Sequence, residues 1–165
     1  MEYKSNTKEV LARLAIIRAQ IAAGVFSDAL VAGLNAGMGV MKRRIFNQSL
    51  DAAGVSLGPY YSEQHERDRK SKGRQIGRKD LELNGTLRRA IEVVTVNNTK
   101  AEIRITNEES AKIARYQEQQ IHNLRSGLPA NEASGGKVPI FELDQDELDI
   151  VKTVTRDLLA QKFDF

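Results

Sequence analysis

LELNGTLRRAIEVVTVNNTKAEIRIT, residues 81–106, is the stretch whose reading decides the fold. Leu81, Leu83 and Leu87 surround Gly85 and the Thr86 hydroxyl, which predicts a turn followed by a short helix. Residues 91–96 are apolar and β-branched and predict a strand. Ala101, Ile103 and Ile105 then alternate with Glu102, Arg104 and Thr106, the period of a strand buried on one face. Asn97-Asn98-Thr99-Lys100 between them has the composition of a hairpin turn.

Outward from the hairpin the apolar period changes from two to that of a helix. Upstream, Val10, Leu14, Ile17 and Ile21 mark one face of a helix over 8–23, with Leu11 and Ala15 widening the stripe and Gly24 as its stop. A second helix is predicted to start on Ser27-Asp28, to carry Leu30, Leu34, Met38, Met41 and Ile45, and to reach Ala53 before Gly54. Gly33 and Gly37 lie one turn apart on it and predict close packing against the first helix. Downstream, Asn107 caps a helix over 108–124, whose apolar positions include Ala111, Ala114 and Ile121. A loop rich in small residues over 126–136 and a short extended piece over 138–141 follow. Asp144-Gln-Asp-Glu147 has the form of a capping box and opens a final helix carrying Leu148, Val151, Val154, Leu158 and Leu159.

The composition narrows the class. The chain of 165 residues shows no internal repeat and is long enough for one domain, 1–165, with a sizeable core. Apolar residues make up 41% and charged residues 28%, the balance of a globular chain and not of a disordered one. Aromatics are only 5% and Trp is absent, so the core has to be aliphatic. Absence of Cys excludes disulfides, thiolate catalysis and Cys-based zinc sites, and is compatible with a reducing cytoplasm. The polar start MEYKSNTKEV predicts no secretory signal. The most apolar window, 25–41, contains Asp28, Asn35 and three glycines and falls short of the roughly 20 apolar residues of a spanning helix. It reads as a buried helix, and no membrane partner is expected.

Candidate chemistry is sparse. His65 and His122 have no partner at metal-ligand spacing and read as solvated surface residues. Asp144, Asp146, Glu147 and Asp149 lack the alternation and the Gly of a calcium loop, and suit the positive end of a helix. Gly73-Arg-Gln-Ile-Gly77-Arg-Lys79 lacks the spacing of a phosphate loop. With no nucleophile–base grouping or paired carboxylates, the expectation is a protein that is not an enzyme and carries no cofactor and no metal.

The exception is charge. The net charge is +3, but the positive residues concentrate in Arg67, Arg69, Lys70, Lys72, Arg74, Arg78 and Lys79. They fall in residues 55–80, which have no apolar period and read as a long basic loop or mobile arm. Such a cluster suits phosphates, a protein neighbour, or plain solvation. A basic middle and an acidic stretch through Glu142, Asp144, Asp146, Glu147 and Asp149 also fit head-to-tail pairing of copies.

The order of pieces resembles the phage virion-morphogenesis family, also described as tail-completion or neck proteins. The residues that carry the resemblance are Asp51-Ala-Ala-Gly54, then Lys70-Ser-Lys72-Gly73, the Leu81-to-Ile91 turn, Ala114-Arg-Tyr116-Gln117 and Pro139-Ile-Phe141-Glu-Leu143-Asp-Gln-Asp146-Glu147. Three family features are missing: the Trp after the first Gly, the Arg beside the late Pro, and the Gly after the aromatic-Gln piece. The resemblance implies an α+β fold. Its antiparallel sheet, the hairpin at about 91–106, is packed by two N-terminal helices, a middle helix and a C-terminal helix, with the basic loop at 55–80. It implies a structural virion protein that forms a ring in the head–tail neck and continues the DNA channel. Partners would be copies of itself, portal or adaptor and other neck proteins, tail proteins and, non-specifically, packaged DNA. The location would be the virion, and the host cytoplasm during assembly. The alternative from the residues alone is a small nucleic-acid-binding protein using 67–79, with a regulatory protein docking on a host enzyme as a third reading.

Overall fold

Helix α2, Val25–Arg43, forms the spine of the molecule, with the hairpin and the last helix packed on it. A computed structural model describes residues 7–58, 63–81, 85–127 and 138–163. Around α2 lie α1 (Thr7–Ala22), α3 (Glu63–Ser71), α4 (Thr86–Ala90), β1 (Ile91–Asn97), β2 (Lys100–Ile105), α5 (Glu108–Arg125) and α6 (Gln145–Phe163). The fold is α+β, with one two-stranded antiparallel sheet among the described residues. The readings at Pro59 to Tyr61, at Leu83 and over 128–136 lie outside the described residues.

The hairpin forms with the expected strands and turn. Ile91 faces Ile105 and Val93 faces Ile103; Ile91 is in the core and Ile103 and Ile105 pack against it. Glu92 and Arg104 pair on the exposed side, where Glu102 bridges Lys100 and Arg104 at 2.6 and 2.7 Å. Gly85, at φ 71°, supplies the left-handed residue that lets the chain enter α4. Thr106 N–H then donates to Ala90 C=O at 2.8 Å and closes the open end of the hairpin onto α4.

The caps of the later helices form as well. Asn107 Oδ1 accepts from Ser110 N–H at 2.9 Å at the start of α5. At α6 the capping box is reciprocal: Asp144 Oδ1 accepts from Glu147 N–H at 2.8 Å, and Glu147 Oε2 accepts from Asp144 N–H at 2.9 Å. Met41, Ile45, Phe46, Leu57, Leu87, Ile91, Ala114, Ile121, Val138 and Ile140 make one aliphatic core with a single phenylalanine.

Three expectations are corrected. Gly33 and Gly37 pack against α6, not α1. A Cβ at Gly33 would collide with the Thr155 hydroxyl and lie 2.7 Å from Val151 C=O, and one at Gly37 would lie 2.5 Å from Val151 Cγ2. Small residues allow close approach of any helix, so the pattern does not name the partner. Second, α2 does not run to Ala53. It widens into a π-helical turn, Arg44–Gln48, and stops at Ser49, which takes φ 64°. Asp51 to Gly54 form a separate turn, in which Asp51 Oδ1 accepts from Ala53 and Val55 N–H, both at 2.9 Å. Third, α1 ends before Gly24 as expected, but its apolar stripe is not buried. No residue of α1 is buried, and Val10, Leu11 and Leu14 are all more than half exposed. The helix meets α2 at a bend of 57° and touches the hairpin tip through Asn98 Nδ2, which donates to Ala22 C=O at 3.3 Å. No single helix among the described residues is long and apolar enough to cross a membrane.

The α2–α6 contact generates a direct expectation. Gly33→Ala places a methyl against the backbone of α6, which cannot yield without moving the helix. A loss of about 2–3 kcal/mol is expected, read as a lower urea midpoint with unchanged slope.

Candidate functional site

Residues 63–80 are not a loose arm. The polar sequence EQHERDRKS forms α3 without any apolar stripe. Arg67 bonds Glu63 at 2.9 Å and Gln64 donates to Asp68 at 3.0 Å, both one turn apart. Glu63 and Glu66 sit in the first turn, and Arg69 and Lys70 in the last, which suits the helix dipole at both ends. Gly73, at φ 64°, ends the helix in a Schellman motif: its N–H donates to Lys70 C=O, and Arg74 N–H donates to Arg69 C=O.

The chain after Gly73 folds back onto α3. Arg69 Nη2 bonds Asp80 Oδ2 at 2.6 Å, and its Nε donates to Gln75 C=O at 2.9 Å. Gln75 Nε2 donates to the same Asp80 oxygen, and Gln75 Oε1 accepts from Arg78 N–H at 3.1 Å. Lys79 ties this segment to the body: its N–H donates to Gly58 C=O, its C=O accepts from Ser49 Oγ, and its Nζ donates to Gln120 Oε1 at 3.1 Å.

These bonds sort the seven expected contact residues. Arg69 and Lys79 are buried, at 1% and 3% exposure, and are structural. Arg67 is exposed and paired with Glu63. Lys70, Lys72, Arg74 and Arg78 are exposed and, with half-exposed Ile76, form a basic ridge held in place by the Arg69–Asp80 pair. Burial holds the Lys79 ammonium down at about pKa 7. His65, half-buried on α3 and not the solvated residue expected, is held below its usual value by burial first and then by Arg69 and Lys79. The ridge offers flexible cations to phosphate or carboxylate groups.

The acidic stretch also divides. Asp144 and Glu147 turn inward to Arg44, while Glu142, Asp146 and Asp149 are exposed. Asp149 bonds Lys152 and Gln145, which hold its carboxyl below the usual range. No group of three or more His, Asp or Glu among the described residues is placed to hold a metal ion. A shallow groove of about 300 Å³ between β2, α5 and Phe141 has Ile105 and Ala114 on its floor and Arg104 and Arg115 on its rim.

The sequence reading missed two buried ion pairs, Arg44–Glu147 and Arg69–Asp80, and a third, Arg125–Asp51, in which only the Asp is buried. One signal was present for the first, since Arg44 lies three residues after Met41 and so falls on the same helix face as Met41 and Ile45. For the other two, nothing local separates the buried residue from its exposed neighbours.

Arg69→Ala is expected to cost about 3 kcal/mol in chemical denaturation, because it strands Asp80, whereas Lys70→Ala should stay within about 0.5 kcal/mol. Lys79 sets a pH dependence. Its folded pKa is about 7 against 10.5 in the open chain, so between those values the unfolded state binds more protons and stability rises with pH. Below about pH 7 both states are charged and the full cost of burying the ammonium is felt. Lys79→Met should therefore be more stable than wild type at about pH 6, and should remove the rise between about pH 7 and 10, as read from urea midpoints.

No family model, curated protein or solved structure matches this chain.

Proposed function

We propose that this chain is a structural virion protein of a tailed phage, one whose copies form a ring in the head–tail neck and continue the DNA channel. The observation that carries the reading is the ridge Lys70, Lys72, Arg74 and Arg78, held outward by the buried Arg69–Asp80 pair. A solvated loop has no need of such an anchor. The exposed acids Glu142, Asp146 and Asp149 sit on a different part of the chain, around the start of α6. Two unlike surfaces of opposite charge suit a heterologous contact, and heterologous contacts make rings when the rotation closes. The order of motifs from Asp51 to Glu147 supports the same reading. In it the chain is not an enzyme and needs no cofactor. Its partners are its own copies, portal or adaptor and other neck proteins, and tail proteins. It resides in the virion and, before assembly, in the host cytoplasm. Contact with packaged DNA would be through solvated cations on long stems, which neutralise phosphates without reading bases and so let DNA slide.

The same four cations favour a second reading, a small protein that binds nucleic acid through the ridge. One variant separates the two. Lys70→Ala/Lys72→Ala/Arg74→Ala leaves the anchor intact, so the fold should be retained. As a neck protein, the wild type should appear as ring density at the head–tail junction of purified particles, and the triple variant should be under-incorporated. Only monomers in negative stain, with none in particles, would defeat the ring. As a nucleic-acid binder, the wild type should hold duplex DNA with a steep salt dependence, and the variant should lose about three from the log–log slope.

A further inference from the structure

Residues 63–80 are bonded mostly to one another. Arg67 bonds Glu63, Gln64 bonds Asp68, Arg69 bonds Gln75 and Asp80, and Gln75 bonds Arg78 and Asp80. Among the described residues, the hydrogen bonds that join this segment to the rest of the molecule all run through Lys79. They are its N–H to Gly58 C=O at 3.2 Å, Ser49 Oγ to its C=O, and its Nζ to Gln120 Oε1 at 3.1 Å. Packing adds little. Helix α3 contains no apolar residue, buries only Arg69, and makes no more than marginal contact with another described helix or strand. The segment returns to the body through Leu81, at φ 54°, a left-handed conformation that strains a leucine. Few apolar contacts and one point of attachment are the marks of a region that opens before the rest of a protein.

Positive charge is crowded at the same point. His65 on α3 feels Arg69 and Lys79, with Asp68 and Asp80 opposing them. Both acids are already engaged, Asp80 by Arg69 and Gln75, and Asp68 by Gln64. From the body come only the neutral Gln120, the Ser49 hydroxyl and the Gly58 carbonyl. A proton taken up by Lys79 or His65 therefore adds a cation to a confined site without adding a carboxylate. Released into water, both groups hold that proton more readily. Burial keeps Lys79 at about 7 against 10.5 in the open, and burial first, then Arg69 and Lys79, keep His65 below its usual 6.5. The open form thus binds more protons than the closed one, between about pH 10 and 7 through Lys79 and below about pH 6.5 through His65.

We propose that residues 63–80 open away from the body as one local unit latched by Lys79, and that acid promotes the opening. Lys70, Lys72, Arg74 and Arg78 move with the unit, so the contacts of the basic ridge with phosphate or carboxylate groups are coupled to pH. The latch is a property of the free chain and is independent of the neck reading.

Native-state hydrogen exchange of single amides, corrected for the intrinsic rate at each pH, reads such an opening even when it is rare. The Lys79 N–H should exchange with little dependence on low urea. The Thr106 N–H, bonded to Ala90 C=O beside the hairpin, should instead follow global unfolding. From pH 8 to pH 6 the opening constant at Lys79 should rise about tenfold. Lys79→Met keeps the backbone bonds and the reporting amide, and should make that constant smaller at pH 6 and flat between pH 8 and 7. His65→Gln should keep the wild-type change between pH 8 and 7 and remove the further rise below about pH 6.5. Equal protection and equal urea slopes at Lys79 and Thr106 would mean one cooperative unit and overturn the inference. So would an opening constant that ignores pH, one that rises as steeply in Lys79→Met as in wild type, or a rise below pH 6.5 that survives His65→Gln.

Discussion

Arg44 is sealed at the foot of α2, where four parts of the chain converge on one guanidinium. Its Nε and Nη2 bond the two carboxylate oxygens of Glu147 at 2.8 and 3.2 Å. Its remaining donors reach the carbonyls of Leu50, Ile140 and Glu142. Glu147 in turn closes the capping box of α6, so the N-terminus of the last helix is fixed by a residue 103 positions earlier. The carbonyls come from non-helical segments and would otherwise need water or another donor. A buried ion pair gives little net stability over an apolar replacement, but its geometry admits few arrangements. The π-helical turn belongs to this constraint, because it is the wider winding that begins at Arg44 and carries α2 to its stop at Ser49.

Burial of charge is the recurring device of the molecule. Arg69–Asp80 and Arg125–Asp51 each join a helix to a segment without regular structure, and Arg44–Glu147 joins the π-helical turn to α6. Asp51 shows the economy of it: one oxygen holds the Ala53 and Val55 amides, and the other meets Arg125 at the end of α5. An aliphatic core with few aromatics has little directional preference, and these pairs supply the direction.

The parts that were legible in the sequence were those fixed by local chemistry. The hairpin follows from period-two alternation and a polar turn, and the α6 start from a capping box that closes within three residues. Helix α3 was not legible, because its stability comes from turn-to-turn charge pairs and a tether at Asp80, neither of which has an apolar period. The end of α2 was misread because Gly54 resembles a stop, whereas Ser49 takes the left-handed conformation. The basic cluster is legible as a charge feature, but Arg69 and Lys70 are equivalent in sequence and opposite in burial. Only the position of Asp80, eleven residues on, decides which is buried.

The glycine contact between α2 and α6 joins the second helix of the chain to the last one, with Thr155 Oγ1 donating to Ala29 C=O across 126 positions. During synthesis α2 therefore emerges long before the helix that shields Gly33 and Gly37. Until α6 leaves the ribosome, that side of α2 stays open to water and to other chains. The final docking is a long-range loop closure, the slow class of folding event. The vulnerable period of this protein is then its own translation.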